Sequence, residues 1–169
     1  MIQIKKIQPE HVEPFWALRL EALRTNPEAF GNSYEDSAQM PQSEVLKMIK
    51  AEENHFVLGA FTVEEQLIGI VGFRRGQGIK IKHKGMIWGV YVSPEHRGCG
   101  IARLLLQEVL KKAGNMEGLK QINLSVVTIN TAAVELYKKL GFRPYGIEKN
   151  AIEYNGQGYD EEYMTYYLS

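Results

Sequence analysis

Residues 2–7 (IQIKKI) alternate apolar with polar positions, the two-residue period of a strand with one covered face. The period then lengthens. Over residues 9–23, Phe15, Trp16, Leu20 and Leu23 fall on one side of a helix that has Pro9 near its start. Asn26-Pro27 ends it, because the residue before a proline avoids the helical region. Residues 28–40 show no clear period. Val45, Met48 and Ile49 are spaced for a second helix over residues 41–53. Two β-rich runs, 55–63 and 66–74, are separated by Glu64-Glu65 and read as a hairpin. The basic, glycine-containing stretch 75–84 reads as a second hairpin connection with solvated cations, and residues 86–92 form the next strand.

From Gly100 onward the pattern is helical again, with Ala102, Leu105, Leu106, Val109, Leu110 and Ala113 on one broad face. Residues 122–127 predict a strand. Ala133, Leu136, Tyr137 and Leu140 predict a further helix that Gly141 stops. Strands over 142–153 and 163–168 close the chain, with 154–162 (YNGQGYDEE) expected as a loop between them. The order β-α-α-β-β-β-α-β-α-β-β is that of an α+β fold with a mixed sheet. Periodicity leaves the strand order open.

One turn in this pattern carries chemistry. Arg97-Gly98-Cys99-Gly100-Ile101-Ala102 opens the helix after the 86–92 strand, so several backbone N–H groups there have no intrahelical partner. Unpaired N–H groups at the positive end of a helix dipole attract an anion, phosphate above all. Gly98 and Gly100 remove the Cβ atoms that would hold a phosphate away. Two common phosphate loops are excluded. The run G-x-x-x-x-G-K-[ST] is absent, and a G-x-G-x-x-G fingerprint would need glycine where Arg103 stands.

Arg97-x-x-Gly100-x-Ala102 resembles the [QR]-x-x-G-x-[GA] pyrophosphate loop of the GNAT superfamily of N-acetyltransferases. Downstream, residues 130–142 (NTAAVELYKKLGF) resemble that family's second motif, N-x-x-A-x-x-L-Y-x-x-x-G-F. Both stand in the family's order and spacing, each after an apolar strand, and the resemblance is strong over about residues 84–147. It implies the GNAT fold: a mixed, mostly antiparallel sheet of about seven strands flanked by about four helices. It also implies acetyl-CoA as cosubstrate, held by Val90, Tyr91, Val92, Arg97, Gly98, Cys99, Gly100, Ile101, Ala102, Asn130, Ala133 and Tyr137.

The implied roles differ in kind. In the family the fourth and fifth strands splay, and the pantetheine arm lies between them against main-chain groups that correspond here to Val90, Tyr91 and Val92. A backbone N–H there aimed at the thioester oxygen would stabilise developing negative charge. Asn130 corresponds to the asparagine that bonds the arm, and is equally suited to cap its helix. Tyr137, otherwise a core tyrosine, corresponds to the general acid; with an ordinary pKa of about 10 it carries a proton at neutral pH. Glu35, Glu95, Glu153 and Asp160 are all conceivable as base. Phe30, Tyr34 and Glu35 are candidates for the acceptor wall. His96 is assigned a local charge or packing role, and Cys99 contributes its backbone N–H without any covalent acyl step.

Composition narrows the setting. The 169 residues are expected to form a single domain, with 44% hydrophobic and 24% charged residues. Twenty basic residues balance twenty acidic ones, so no basic excess points to nucleic acid. The one cysteine cannot form an internal disulfide, which agrees with a reducing cytoplasm. No apolar run reaches signal-peptide or membrane-spanning length, and no metal-ligand spacing is present. The expected activity is acetyl transfer to a primary amine of a small molecule or a protein N-terminus. The alternative is a non-catalytic acyl-CoA sensor of the same fold, and the sequence leaves a homodimer open.

Overall fold

A computed structural model describes residues 1–169. Strand β1 (Gln3–Lys6) leads through a short 3-10 turn into helix α1 (Val12–Thr25), followed by the short helices α2 (Tyr34–Ala38) and α3 (Gln42–Met48). Then come β2 (His55–Phe61), β3 (Leu67–Arg75) and β4 (Lys84–Val92), helix α4 (Ile101–Gly114), β5 (Gln121–Val127), helix α5 (Thr131–Leu140), β6 (Arg143–Tyr154) and β7 (Gln157–Tyr167). The seven strands form one sheet in the order β1-β2-β3-β4-β5-β7-β6. Only the β4–β5 pair is parallel.

Both faces of the sheet are covered, which explains the nearly continuous apolar runs of β2 and β3. In β2, Phe56, Leu58 and Ala60 pack toward α4, where Leu105, Leu106 and Val109 are buried. Val57 and Phe61 point the other way, toward Phe15 and Ala22 of α1 and Val45 of α3. The buried stripe of α1 is Phe15, Leu18, Arg19, Ala22 and Leu23, so Leu20 lies outside the expected apolar face and a cation lies within it.

Three expectations need correction. The 41–53 helix stops at Met48: Ile49 still packs, but residues 50–54 are exposed and offer no apolar face to hold a longer helix. The aperiodic 28–40 segment contains α2, capped where Ser33 Oγ accepts the Asp36 N–H at 3.0 Å. The expected loop at 154–162 is instead the tip of a long hairpin. Asn155 and Gly156, at φ 51° and 75°, make the two-residue turn that joins Tyr154 to its partner Gln157. Positive φ at both central residues is what an Asn-Gly hairpin turn requires.

Two irregularities shape the centre of the sheet. β4 and β5 pair only from Lys84↔Gln121 to Met86↔Asn123, and beyond these residues they part. β4 stays with β3 while β5 stays with β7, so the sheet splits into two wings. On the β3 side, Ile70↔Tyr91 is followed by Gly72↔Trp88, which leaves one extra residue in β4. Gly89, at φ 67°, supplies the left-handed backbone of that bulge.

Candidate functional site

The parting of β4 and β5 opens a cleft of about 470 Å3. Its walls are Val90, Tyr91 and Val92 of β4, Val127 at the end of β5, and Asn130, Ala133, Leu136 and Tyr137 around α5. Arg97 and Ala102 close the end nearest α4, and Asn26 and Phe30 contribute from the segment after α1. Past Met86 the β5-facing edge of β4 has lost its strand partner, so its N–H and C=O groups are free to pair with an extended ligand.

At the α4 end lies a second concavity of about 270 Å3, lined by His96, Arg97, Gly98, Gly100, Ile101, Ala102 and Arg103. Gly98 and Gly100 both have φ 78°, and a Cβ added to either would meet nothing within 4 Å. These two positions therefore need glycine for backbone conformation, and they leave room above the turn for a bound group. Gly100 caps α4 without any side-chain hydrogen bond, so the amides of residues 101–103 remain open. Ile101 lines this concavity while its side chain is buried in the core, whereas Cys99, which is exposed, is not among the lining residues.

The Arg97 side chain, although exposed, is held against the protein. Its Nε donates to Val92 O at 2.9 Å and its Nη2 to Asn26 Oδ1 at 3.1 Å, with the guanidinium 5.2 Å from the Tyr91 ring. The arginine thus braces the end of β4 against the end of α1. His96 takes the local role expected of it, with Nδ1 2.9 Å from Ser93 Oγ.

Asn130 caps α5: its Oδ1 accepts the Ala133 N–H at 3.3 Å, which leaves the carboxamide nitrogen free to donate into the cleft. Tyr137 projects from the next two turns of α5 and is 7% exposed, packed edge-on against Phe142 at 6.0 Å. Burial alone pushes its pKa upward, with no protein hydrogen bond contributing. The hydroxyl is therefore protonated at neutral pH and without a protein partner.

Behind the cleft the split continues through the sheet. A small concavity of about 80 Å3 shares Val90, Asn130 and Tyr137 with the cleft, and Trp88, Gly89 and Ser125 with a rear cavity of about 340 Å3. Phe30 borders the cleft, the small concavity and the rear cavity. Of the residues expected in an acceptor wall, Phe30 alone is there; Tyr34 and Glu35 line a separate depression with Glu153.

The four carboxylates weighed as bases are dispersed. Asp160 holds the Asn150 N–H at 2.9 Å and Lys149 Nζ at 3.2 Å, and these bonds keep its pKa low. Glu95 is exposed in the turn before α4. The carboxylate that does line the rear cavity is Glu161 of β7, whose Oε2 accepts from Ser125 Oγ at 3.3 Å. A loop over 154–162 gives no reason to prefer Glu161 to its neighbour Asp160; the β7 alternation, extended back from Tyr163, puts Glu161 on the face of Tyr163 and Asp160 on the other. Gly89, Arg19 and Trp88 were missed as well. A glycine beside a tryptophan inside a strand was the available sign of a bulge.

Comparison with known proteins bears on the family and the fold. The model of the acetyltransferase (GNAT) family matches residues 16–142. A spermidine N(1)-acetyltransferase from Vibrio cholerae is 30% identical over 104 residues, covering 62% of this chain and 60% of that one. The chain thus spans three-fifths of that curated relative, and about half of others. Among solved structures, a GNAT-family acetyltransferase from Streptococcus pneumoniae superposes with a TM-score of 0.87 at 24% identity, over 99% of this chain and 100% of that one. A proposed acetyltransferase from Salmonella typhimurium, in a structure with its cofactor acetyl-CoA, gives a TM-score of 0.84 at 20% identity, over 100% of this chain and 95% of that one. Family model, fold and cleft agree: this chain belongs to the GNAT family of acetyltransferases.

Proposed function

We propose that this protein transfers an acetyl group from acetyl-CoA to a primary amine. The observation that supports this best is adjacency: the concavity over the open N-terminus of α4 shares Val92, Arg97, Ala102 and Leu136 with the cleft that follows the unpartnered edge of β4 to Tyr137. The residues fit acetyl-CoA. The amides after Gly98 and Gly100 suit a pyrophosphate, and the β4 edge at Val90, Tyr91 and Val92 suits an amide-bearing arm. Asn130 has a carboxamide donor to spare, and Ala133 presents a small surface beside it.

When bound, acetyl-CoA supplies an activated acetyl thioester. The unpartnered main-chain N–H groups of β4 beyond the Gly89 bulge would hold the acetyl oxygen and would stabilise negative charge developing on it. Tyr137, protonated and without a protein partner, would supply the proton that a departing thiolate needs. Glu161, across the rear cavity, accepts the proton that the ammonium must lose, directly or through water. A general acid held ready beside the split favours an enzyme over a non-catalytic acyl-CoA sensor.

Thiol release from acetyl-CoA, measured across polyamines, amino acids, aminoglycosides and N-terminal peptides, tests the proposal, with calorimetry of acetyl-CoA alone beside it. Binding together with turnover of one amine class is expected. Absence of acetyl-CoA binding would overturn it.

A further inference from the structure

Arg19 lies on the buried stripe of α1 and is only 5% exposed. Its guanidinium lies 5.1 Å from the Phe30 ring and 5.9 Å from the Trp88 ring, and Nη2 donates to Asn32 Oδ1 at 3.3 Å. Nη1 is buried and has no hydrogen-bond partner, and the same holds for Trp88 Nε1. Both residues line the rear cavity. No carboxylate pairs with Arg19: every ion pair of the protein lies elsewhere, on more exposed side chains. Burial lowers the pKa of Arg19 only to about 10, so the group stays cationic at neutral pH.

A buried cation without a counter-ion, beside a buried indole N–H without an acceptor, is costly for a fold to keep. Both groups are donors only, so the partner they lack is an acceptor, and charge makes it an anion. The position of Nη1 indicates where that anion goes. A Cβ built on Gly89 would stand 3.5 Å from Nη1, so the unpaired donor lies against the β4 bulge, one residue before Val90. An anion held there is close to the point where the amine is acetylated. Opposite it, Glu161 offers a negative group for the ammonium.

We infer that the acceptor is an amino-acid-like zwitterion whose carboxylate, separated from the reactive nitrogen by one or two carbons, is bound by Arg19 Nη1 and Trp88 Nε1. This inference rests on the acetyltransferase reading for its chemistry, but the anion site itself can be tested without turnover. A cavity of about 340 Å3 accommodates a single amino acid and its side chain. Amines and polyamines that carry no anionic group leave both donors unpaired and are poor acceptors.

The test compares the protein amino acids with their carboxamides, which keep shape and amine and lose the anion. Each good acceptor acid is expected to exceed its carboxamide in kcat/KM by about 10- to 100-fold, the effect of a charged hydrogen bond. Arg19→Gln is expected to remove that preference. Trp88→Phe keeps the ring, loses the N–H, and is expected to reduce the preference about tenfold or less. Titration with acetyl-CoA establishes that each variant retains its cleft. Independently of catalysis, the Trp88 indole N–H resonance is expected to move when a free amino acid is added and to stay when its carboxamide is added, with Trp16 as internal reference. Equal use of acids and carboxamides, a preference that survives Arg19→Gln, or a Trp88 resonance insensitive to every amino acid would overturn the inference. Failure to bind acetyl-CoA would overturn the acetyltransferase reading instead, which the Trp88 titration does not require.

Discussion

Arg97 Nη2 donates to Asn26 Oδ1 at 3.1 Å, joining the glycine turn before α4 to the end of α1. The same guanidinium holds Val92 O at 2.9 Å, so one side chain fixes the mouth of the cleft on two sides. In the proposed acetyl-CoA site Arg97 is therefore expected to act chiefly by positioning the turn. Arg97→Ala is expected to cost about 1 kcal/mol of stability and to weaken acetyl-CoA binding about tenfold without a comparable fall in kcat. Thermal unfolding and calorimetry measure both; a large kcat loss with intact affinity would contradict the assignment.

Gly100 separates conformation from ligand. Its φ of 78° is strained for any other residue, yet a Cβ there meets no neighbour. Gly100→Ala is expected to cost about 1 kcal/mol from backbone strain. Gly100→Glu adds negative charge at the open amides and is expected to abolish acetyl-CoA binding while lowering stability by a similar amount. Normal binding by the glutamate variant would remove the pyrophosphate assignment.

Tyr137→Phe deletes one hydroxyl from a buried site that gives it no protein partner. Folding stability should be unchanged or slightly higher, because no buried bond is lost. Turnover is expected to drop by about 100-fold, with acetyl-CoA affinity nearly constant. Because burial raises the Tyr137 pKa, deprotonation of this group should produce no loss of rate between pH 7 and about 10. Parallel losses of affinity and turnover would indicate a packing role.

Glu161→Gln keeps the shape of the rear cavity and removes its carboxylate. A fall of about 100-fold in kcat/KM near neutral pH is expected. The deficit should shrink as pH approaches the amine's own pKa, where the amine arrives already deprotonated. A deficit independent of pH would mean that Glu161 positions the acceptor without taking its proton.

Asp160 gives a stability prediction. Its pKa is lowered chiefly by the Asn150 N–H, then by Lys149, and Asn150 is a left-handed residue at φ 53° in the irregular part of the β6–β7 ladder. A depressed folded-state pKa stabilises above the unfolded value of about 3.9, and that stabilisation is lost as pH falls through the folded value. Asp160→Ala should therefore melt below the parent protein at pH 7, and the two melting curves should converge as the pH falls below 4. Convergence at higher pH would assign the difference to another group.

Much of this protein is written locally. The apolar period of α4, the stop at Gly141 and the strand before each motif follow from side-chain alternation, which needs no knowledge of neighbours. The glycine turn at 97–102 and the Asn130–Tyr137 segment were legible for the same reason, since capping and open helix ends are properties of a few consecutive residues. The Asn-Gly turn at 155–156 was equally local and was hidden only by its polar, glycine-rich flanks.

The site itself is a matter of tertiary structure. The parting of β4 from β5 depends on β5 choosing β7 as its other partner, a pairing between strands far apart in the chain that no periodicity encodes. The bulge at Gly89 exists only relative to the register of β3. Arg19 occupies a helix position, four residues after Phe15, that the pattern assigns to the apolar face, and only packing against Phe30 and Trp88 reveals a buried cation lacking a counter-ion. Sequence determined which segments can carry the chemistry. Long-range strand pairing decided which of their polar groups were left unsatisfied, and those groups define what the protein can bind.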